Sequence, residues 1–404
     1  MPLERPAARP PSLRQVVSDF SGFHGANAVV AFTFAASGPV AIVLAIGTRG
    51  GLGPSEIASW LFSAFFVNGL ISIALCWLYR QPLVLLWSIP GSVLVGPALG
   101  HLTFREVIGA FLATGVLMLL LGFSGWVRRA MEAIPMPVVM GMVAGVFLRF
   151  GLDLVHAVHE HVWVAAPMIA AFLVVTAVPG LGRRLPPLIA AMAIGIVMIA
   201  GLGEFHPSAG GAGGLARPTF YAPAFSWAAM VELVVPLAVT VLVVQNGQGI
   251  AVLRAAGHQP PIDAITVACG AGSMVTACLG GVSTCLTGPV NAIISATEDK
   301  RRQYTAGMAV GVLACVFGLL SPAVARVMLG TPRAFIAALA GLALLRVLES
   351  AFAIAFRDRH ALGALVAFLV TVADVGVIGI GAPFWGLVLG AGVAALLERG
   401  EPTG

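Results

Sequence analysis

Charge is what this sequence has least of. Only 10% of its 404 residues are Asp, Glu, Lys or Arg, against roughly 25% in a soluble domain. With a mean hydropathy of +0.99, that scarcity excludes a water-soluble fold. Polar chain is scarce too. Only a tail from Met1 to roughly Ser18 and a Gly-rich connection from Gly203 to Phe225 lack long apolar runs, and neither is large enough to be a domain. The five cysteines, Cys76, Cys269, Cys278, Cys285 and Cys315, lie in apolar segments without metal-type spacing, which argues against a disulfide framework. The Pro-rich tail has no apolar core followed by a small-residue cleavage site, so no removed signal peptide is expected. Nucleophile elbow, P-loop and zinc-protease helix are all missing, and no enzyme class is expected.

What the sequence has in abundance is apolar runs of helix-spanning length, recurring from about Ala26 to the C-terminus. At ~20 residues per span, about 14 fit, so the expected fold class is an all-α integral membrane protein of ~14 transmembrane helices. A net charge of +5 and pI near 9.3 raise nucleic acid as a partner, but the basic residues fall between spans instead of clustering on one face. The positive-inside rule accounts for them with a cytoplasmic N-terminus. Arg5, Arg9, Arg14, Arg80, Arg128, Arg129, Arg183, Arg184, Arg254, Lys300, Arg301, Arg302, Arg357, Arg359 and Arg399 are then inside. Arg49, Arg105, Arg217, Arg326 and Arg333 are outside, with Arg149 and Arg346 near helix ends.

Two stretches interrupt this pattern. Leu279 to Asn291 reads Leu-Gly-Gly-Val-Ser-Thr-Cys-Leu-Thr-Gly-Pro-Val-Asn, and Trp87 to Pro97 reads Trp-Ser-Ile-Pro-Gly-Ser-Val-Leu-Val-Gly-Pro. Inside a helix Gly costs ~1 and Pro ~3 kcal/mol relative to Ala. Each stretch should therefore unwind and restart as a new helix, the later one around Ser283 or Thr287. Leu94-Val95-Gly96-Pro97 echoes Leu286-Thr287-Gly288-Pro289. Pro135 and Pro332 (332 − 135) and Arg149 and Arg346 (346 − 149) share an offset of 197 residues. Seven spans per half would turn the second half upside down. The division is then a cytoplasmic tail, 1–18, a first seven-helix repeat, 19–202, an extracytoplasmic connection, 203–225, and a second repeat, 226–404. Paired breaks at corresponding places in inverted repeats point to a transporter's binding site.

Within this frame spans one and two run Gly25 to Ile46 and Pro54 to Leu78, and span five, Pro135 to Leu152, holds a Gly141/Gly145 packing motif. Span eight runs Trp227 to Val244, and span eleven Tyr304 to Ala325. An anion at mid-membrane needs positive potential without an unpaired Lys or Arg. Half-helix N-termini supply it through free N–H groups and a macrodipole equivalent to roughly +0.5 charge. Ser88, Ser92, Ser283, Thr284 and Thr287 add hydroxyls around Pro90, Gly91 and Gly281. The same hydroxyls can instead cap their own helices. Gln245 and Asn246 close span eight as neutral partners for a carboxylate, or else as a C-cap with Gly247 or Gly249 left-handed. Trp87 and Phe34 are the aromatic residues suited to stacking on a ring, the alternative being core or lipid contact. For proton coupling the acidic residues are Asp153, Glu232, Glu349 and Asp374. Glu232 and Asp374 are the candidates, against an interfacial carboxylate that is hydrated or paired with an Arg, or a substrate that itself carries the proton to the site. His156, His159 and His161 with Glu160 read as a solvated outer loop in preference to a metal site. Neither metal nor cofactor is expected.

Gln245-Asn246 followed by Gly249-Ile250-Ala251-Val252-Leu253-Arg254-Ala255-Ala256-Gly257 resembles a signature of the benzoate/proton symporter family. Trp87 to Gly91, Gly125-Trp126 with Ile134-Pro135, Leu148 to Asp153 and Ala382 to Leu387 resemble further family blocks, together spread over nearly the whole chain. Ser283 to Pro289 departs from the family, which usually carries Asn about four residues after the Gly pair. The resemblance implies a fold like that of the nucleobase/anion transporters, seven plus seven inverted spans with short strands before the half-helices of spans three and ten. It also implies proton-driven uptake of benzoate or a related aromatic carboxylate by alternating access. A gate unit of spans one to four and eight to eleven would work against a scaffold of the rest. The partners implied are the carboxylate, a proton and the lipid bilayer of a bacterial inner membrane, without nucleic acid and with a homodimer left open. A same-fold transporter or channel for another anion or a nucleobase is the alternative.

Overall fold

In a bilayer every backbone N–H and C=O must be satisfied inside the protein, and for a chain this apolar the solution is helix. The computed structural model describes residues 3–6, 9–127, 134–178, 185–206, 214–295, 299–357, 359–378 and 381–398. The basic residues Arg128, Arg129, Arg183, Arg184 and Arg399 lie outside them. The first group of elements is α1 (Leu13–Asp19), α2 (Gly22–Arg49), α3 (Pro54–Tyr79), β1 (Leu85–Trp87), α4 (Ile89–Ala98) and α5 (Phe104–Ser124). Next come α6 (Met136–Glu160), α7 (Val162–Ala177) and α8 (Pro187–Leu202). Then follow α9 (Trp227–Ala255), α10 (Ile262–Cys278), β2 (Thr284–Leu286), α11 (Gly288–Ile294), α12 (Gln303–Leu319) and α13 (Ser321–Leu329). The chain closes with α14 (Arg333–Phe356), α15 (Ala361–Ala373) and α16 (Ala382–Leu397).

Among the described residues α2, α3, α5, α6, α9 and α14 are long and apolar enough to cross a membrane, and α12 with α13 adds an apolar pair bent by 65°. The expected single span from Tyr304 to Ala325 is thus two helices. Pro322, in the first turn of α13, has no N–H to continue the ladder. Other helices outrun their expected ends. α6 continues to Glu160, so His156, His159 and Glu160 are helical, and Arg149 lies well inside the helix. α2 runs unbroken past Pro39 to Arg49.

Helices α2–α5 and α9–α13 pack together with both strands, and α6–α8 pack with α14–α16. The two groups meet where α2 lies on α14 and α9 on α16. Gly141 and Gly145 bring α6 close to α15: a Cβ on Gly141 would overlap the Ala364 carbonyl, and one on Gly145 would sit 2.8 Å from Thr371 Cβ. The N-terminal tail is docked. The Glu4 carboxylate accepts the Asp263 and Ala264 N–H groups at 3.0 Å, capping the start of α10. The Tyr79 hydroxyl donates to the Glu4 carbonyl at 3.0 Å.

Candidate functional site

The two interrupted stretches meet. β1 and β2 pair antiparallel in the register Leu85 with Leu286, Leu86 with Cys285 and Trp87 with Thr284. Ser88 N–H donates to the Ser283 carbonyl at 2.9 Å and Thr287 N–H to the Val84 carbonyl at 3.2 Å, extending the ladder at both ends. At ~3.4 Å of rise per residue, the helix starts that follow the strands lie roughly 13 Å apart along the ladder. The restart expected near Thr287 is found there, with Thr287 as N-cap of α11.

Alternation along the strands sorts the expected site residues onto two faces. Trp87 and Thr284 face α3. The Trp87 ring lies 4.6 Å from that of Phe65, and Thr284 Oγ1 donates at 2.7 Å to Asn68 Oδ1. Leu86, Ser88, Ser283 and Cys285 share the other face, towards α9, where Gln245 Nε2 donates to Cys285 Sγ at 3.6 Å. One compact site holding every expected residue is therefore not what the fold builds.

Gln245 and Asn246 do not end a helix. They close a π turn, Thr240–Asn246, in the interior of α9, and Gly247 continues it with φ −56°, which rules out the left-handed C-cap. The wide turn re-aims both amides at the strands. Asn246 Oδ1 accepts the Leu286 N–H at 2.7 Å and its Nδ2 reaches Cys269 Sγ at 3.6 Å. Asn246 thus latches β2 in place.

The two helix starts are equipped differently. At α4, Ser88 Oγ caps its own helix by accepting the Gly91 N–H at 3.0 Å, and Ser92 Oγ donates to the Ser88 carbonyl at 3.0 Å. Pro90 occupies the first turn, where its missing N–H costs nothing. A Cβ on Gly91 would stand 3.2 Å from Leu237, so this start lies close under α9. Beside it, Ser283 Oγ is fully buried and has no hydrogen-bond partner among the described residues, and Trp87 Nε1 on the opposite face is likewise buried and without one. Gly281 admits no side chain, because a Cβ there would overlap Ser63 Oγ. At α11, Thr287 makes no side-chain cap, and Asn291 grips the partner strand twice. Its Oδ1 accepts the Val84 N–H at 3.0 Å and its Nδ2 donates to the Val84 carbonyl at 3.1 Å.

Sequence reasoning missed Asn68, Ser72, Ser273 and Asn291, which hold the strands from outside. Ser72 Oγ accepts the Leu85 N–H and Ser273 Oγ the Thr284 N–H, both at 2.9 Å. A signal existed for one of them: Asn68 is the one amide side chain in the apolar 26-residue α3.

The remaining expected residues lie elsewhere. Phe34 is half-buried on α2 and packs on the main core. Asp374 caps the C-terminus of α15 with φ 53° and forms an ion pair with Arg149. Asp153 pairs with Arg49 at 2.6 Å. Glu232 is buried on α9 and meets Nε2 of His101, a residue not anticipated, at 2.9 Å. His161 pairs with Glu204 at 2.6 Å, and among the described residues no group of three or more His, Cys, Asp or Glu is placed to hold a metal.

The overall fold of this bundle of apolar helices is shared with solved membrane transporters. The transmembrane domain of the cyanobacterial bicarbonate transporter BicA superposes with a TM-score of 0.60 at 15% identity, covering 95% of this chain and 99% of that one. SLC26A9 superposes with 0.64 at 13% identity, over 98% of this chain and 72% of that one. The chain belongs to the BenE family: the family model described as benzoate membrane transport protein matches residues 19–396. The inner membrane protein YdcO of Escherichia coli is 31% identical over 361 residues, 87% of this chain and 89% of that one. The benzoate membrane transport protein of Acinetobacter baylyi is 27% identical over 361 residues, 88% of this chain and 90% of its own length. The protein is a membrane transporter of this family, and its multi-span apolar pattern and its likeness to a named inner membrane protein support a bacterial inner-membrane location.

Proposed function

We propose that this protein takes up benzoate or a related aromatic carboxylate together with a proton, by alternating access. One observation carries the reading: the Ser283 hydroxyl is buried without a protein partner beside the start of α4, on the strand face that Gln245 approaches. A buried polar atom left unpaired costs of order 1–3 kcal/mol, which a bound carboxylate oxygen would recover. The α4 start adds a positive helix end. Ser88, Ser92, Gly91 and Pro90 shape that start, Gly281 keeps the strand approach narrow, and Asn246, Thr284 and Thr287 hold the ladder. Trp87 offers a ring and an unpaired N–H on the far face, with Phe34 on α2 as the more distant aromatic group. The aromatic substrate class comes from the relative named as a benzoate transporter.

In this reading the chain has 14 spans in two inverted halves of seven. Element starts support it: β1 and β2 (284 − 85) and α5 and α12 (303 − 104) are each 199 residues apart. The N-terminus is cytoplasmic, the side that gathers most of the basic residues, and the assembly is a monomer or a homodimer. Substrate would reach the site as the two helix groups move against each other. Of the two carboxylates considered for proton coupling, Glu232 is favoured over Asp374, which already pairs with Arg149.

Uptake of labelled benzoate into proteoliposomes should rise when the exterior is acidified. Uptake indifferent to an imposed pH gradient would rule out symport. Stronger competition by bicarbonate or a nucleobase than by substituted benzoates would move the substrate to another anion or a neutral ring.

A further inference from the structure

Glu232 sits where the two helix groups meet. It lies on α9, and on its far side a Cβ at Gly381, the N-cap of α16, would overlap Glu232 Oε1. The carboxylate therefore faces the positive end of a helix from the other group. Its bonded partner, His101, lies on the connection between α4 and α5. The two differ in access to water: the Glu232 side chain is 4% exposed and that of His101 44%. A cavity of about 290 Å³ opens between the groups next to them, lined by Gly100 and Pro383 together with Arg49, Arg149, Thr371 and Asp374.

Other charges around the pair are occupied. From α5, Arg105 Nε donates to the Ala222 carbonyl at 3.1 Å, and Glu106, beside His101, accepts from Thr103 N–H and Oγ1 at 2.8 and 2.7 Å. The described parts of α4 and α16, which also pack on α9, carry no charged residue. Across the cavity, Arg149 is paired with Asp374 and Arg49 with Asp153. His101 and Glu232 are thus a half-exposed imidazole over a buried carboxylate at a junction that must shift during transport.

We propose that His101 and Glu232 form the proton-accepting site that couples the gradient to transport. The imidazole takes a proton from water at its exposed side and shares it with the carboxylate across their hydrogen bond. The net charge of the pair goes from −1 to 0, its attraction to the start of α16 weakens, and α9 is freed to move against α16. This inference rests on the symport reading above and on His101 facing the outside.

The test compares Glu232→Gln and His101→Gln with the unaltered protein in proteoliposomes, measuring benzoate accumulation under a gradient of one pH unit and, separately, benzoate counterflow without a gradient. With one proton per substrate, the unaltered protein should accumulate up to about tenfold. Glu232→Gln, neutral like the protonated pair, should exchange within about threefold of it while accumulation falls to unity. His101→Gln, which leaves Glu232 charged against the start of α16, should lose accumulation and slow counterflow by about tenfold or more. Accumulation that persists in either variant would overturn the proposal. So would counterflow in His101→Gln at the unaltered rate, because an ionised Glu232 would then not hold α9. Should Glu232→Gln fail to fold, the half-exposed His101 variant decides alone. If the unaltered protein ignores the gradient, the symport reading fails, whereas a coupled unaltered protein beside coupled variants sinks only the His101–Glu232 assignment.

Discussion

The two ends of the strand ladder are built from similar sequence and do different things. At the α11 end, Asn291 makes two hydrogen bonds to Val84, and Asn246 holds the neighbouring Leu286 N–H, so the strand polar groups there are used up. At the α4 end, Ser88 turns inward to cap its own helix, and Ser283 Oγ is left with nothing to bond. One end is a lock and the other is left open. A buried polar group satisfied by protein supports the fold, and one left unsatisfied costs stability until water or a ligand meets it.

Replacing Asn291 by Ala tests the locked end and should have the largest effect. It strands the buried N–H of Val84, at about 1–3 kcal/mol, while the Val84 carbonyl keeps only the Thr287 N–H, so thermal unfolding in detergent should occur markedly earlier. A melting temperature equal to that of the unaltered protein would mean that Asn291 is not the lock. Ser283→Ala tests the open end, and its effect should appear in binding. With no protein partner to lose, the variant should melt like the original, while benzoate affinity falls about tenfold to 150-fold, the worth of one hydrogen bond to a charged group. Lost stability with unchanged affinity would invert the comparison.

The smallest effect concerns how α11 is tied at its far end. His258, in the loop after α9, donates from Nε2 to Gln303 Oε1 at 2.6 Å, and Gln303 Nε2 donates to the carbonyl of Ser295, the C-cap of α11. Burial lowers the His258 pKa from 6.5, and Gln303 offsets only part of that. The folded state binds this proton less well than the unfolded chain. The stability it contributes is therefore fully present above pH 6.5 and is lost as pH falls from there through the lower folded value. The melting temperature of the unaltered protein should fall over that window by more than that of His258→Gln, and equal slopes would remove the tie.

Much of the architecture was legible because helix-spanning apolar runs leave a bilayer protein few choices. The breaks at Trp87 to Pro97 and Leu279 to Asn291 were legible because Gly and Pro write backbone conformation directly into sequence. The division of labour at those breaks was not legible. Ser88, Ser283, Thr284 and Thr287 look alike as residues, yet one caps its helix, one is free, one binds Asn68 and one begins α11. Gln245-Asn246-Gly247 reads as a helix end because amides and glycine favour caps. A π turn keeps the helix going instead, and Asn246 is used on a strand 40 residues away.

By itself the sequence determined a membrane-embedded helical protein, its two interruptions and the family to which it belongs, since hydropathy, Gly/Pro placement and local motifs are properties of neighbouring residues. Only the tertiary structure decided that the interruptions pair as antiparallel strands, that Asn291 locks one end while Ser283 stays open at the other, and that His101 meets Glu232 131 residues away. A hydrogen bond is satisfied or left open by whatever the fold brings within about 3 Å, and no local pattern carries that information.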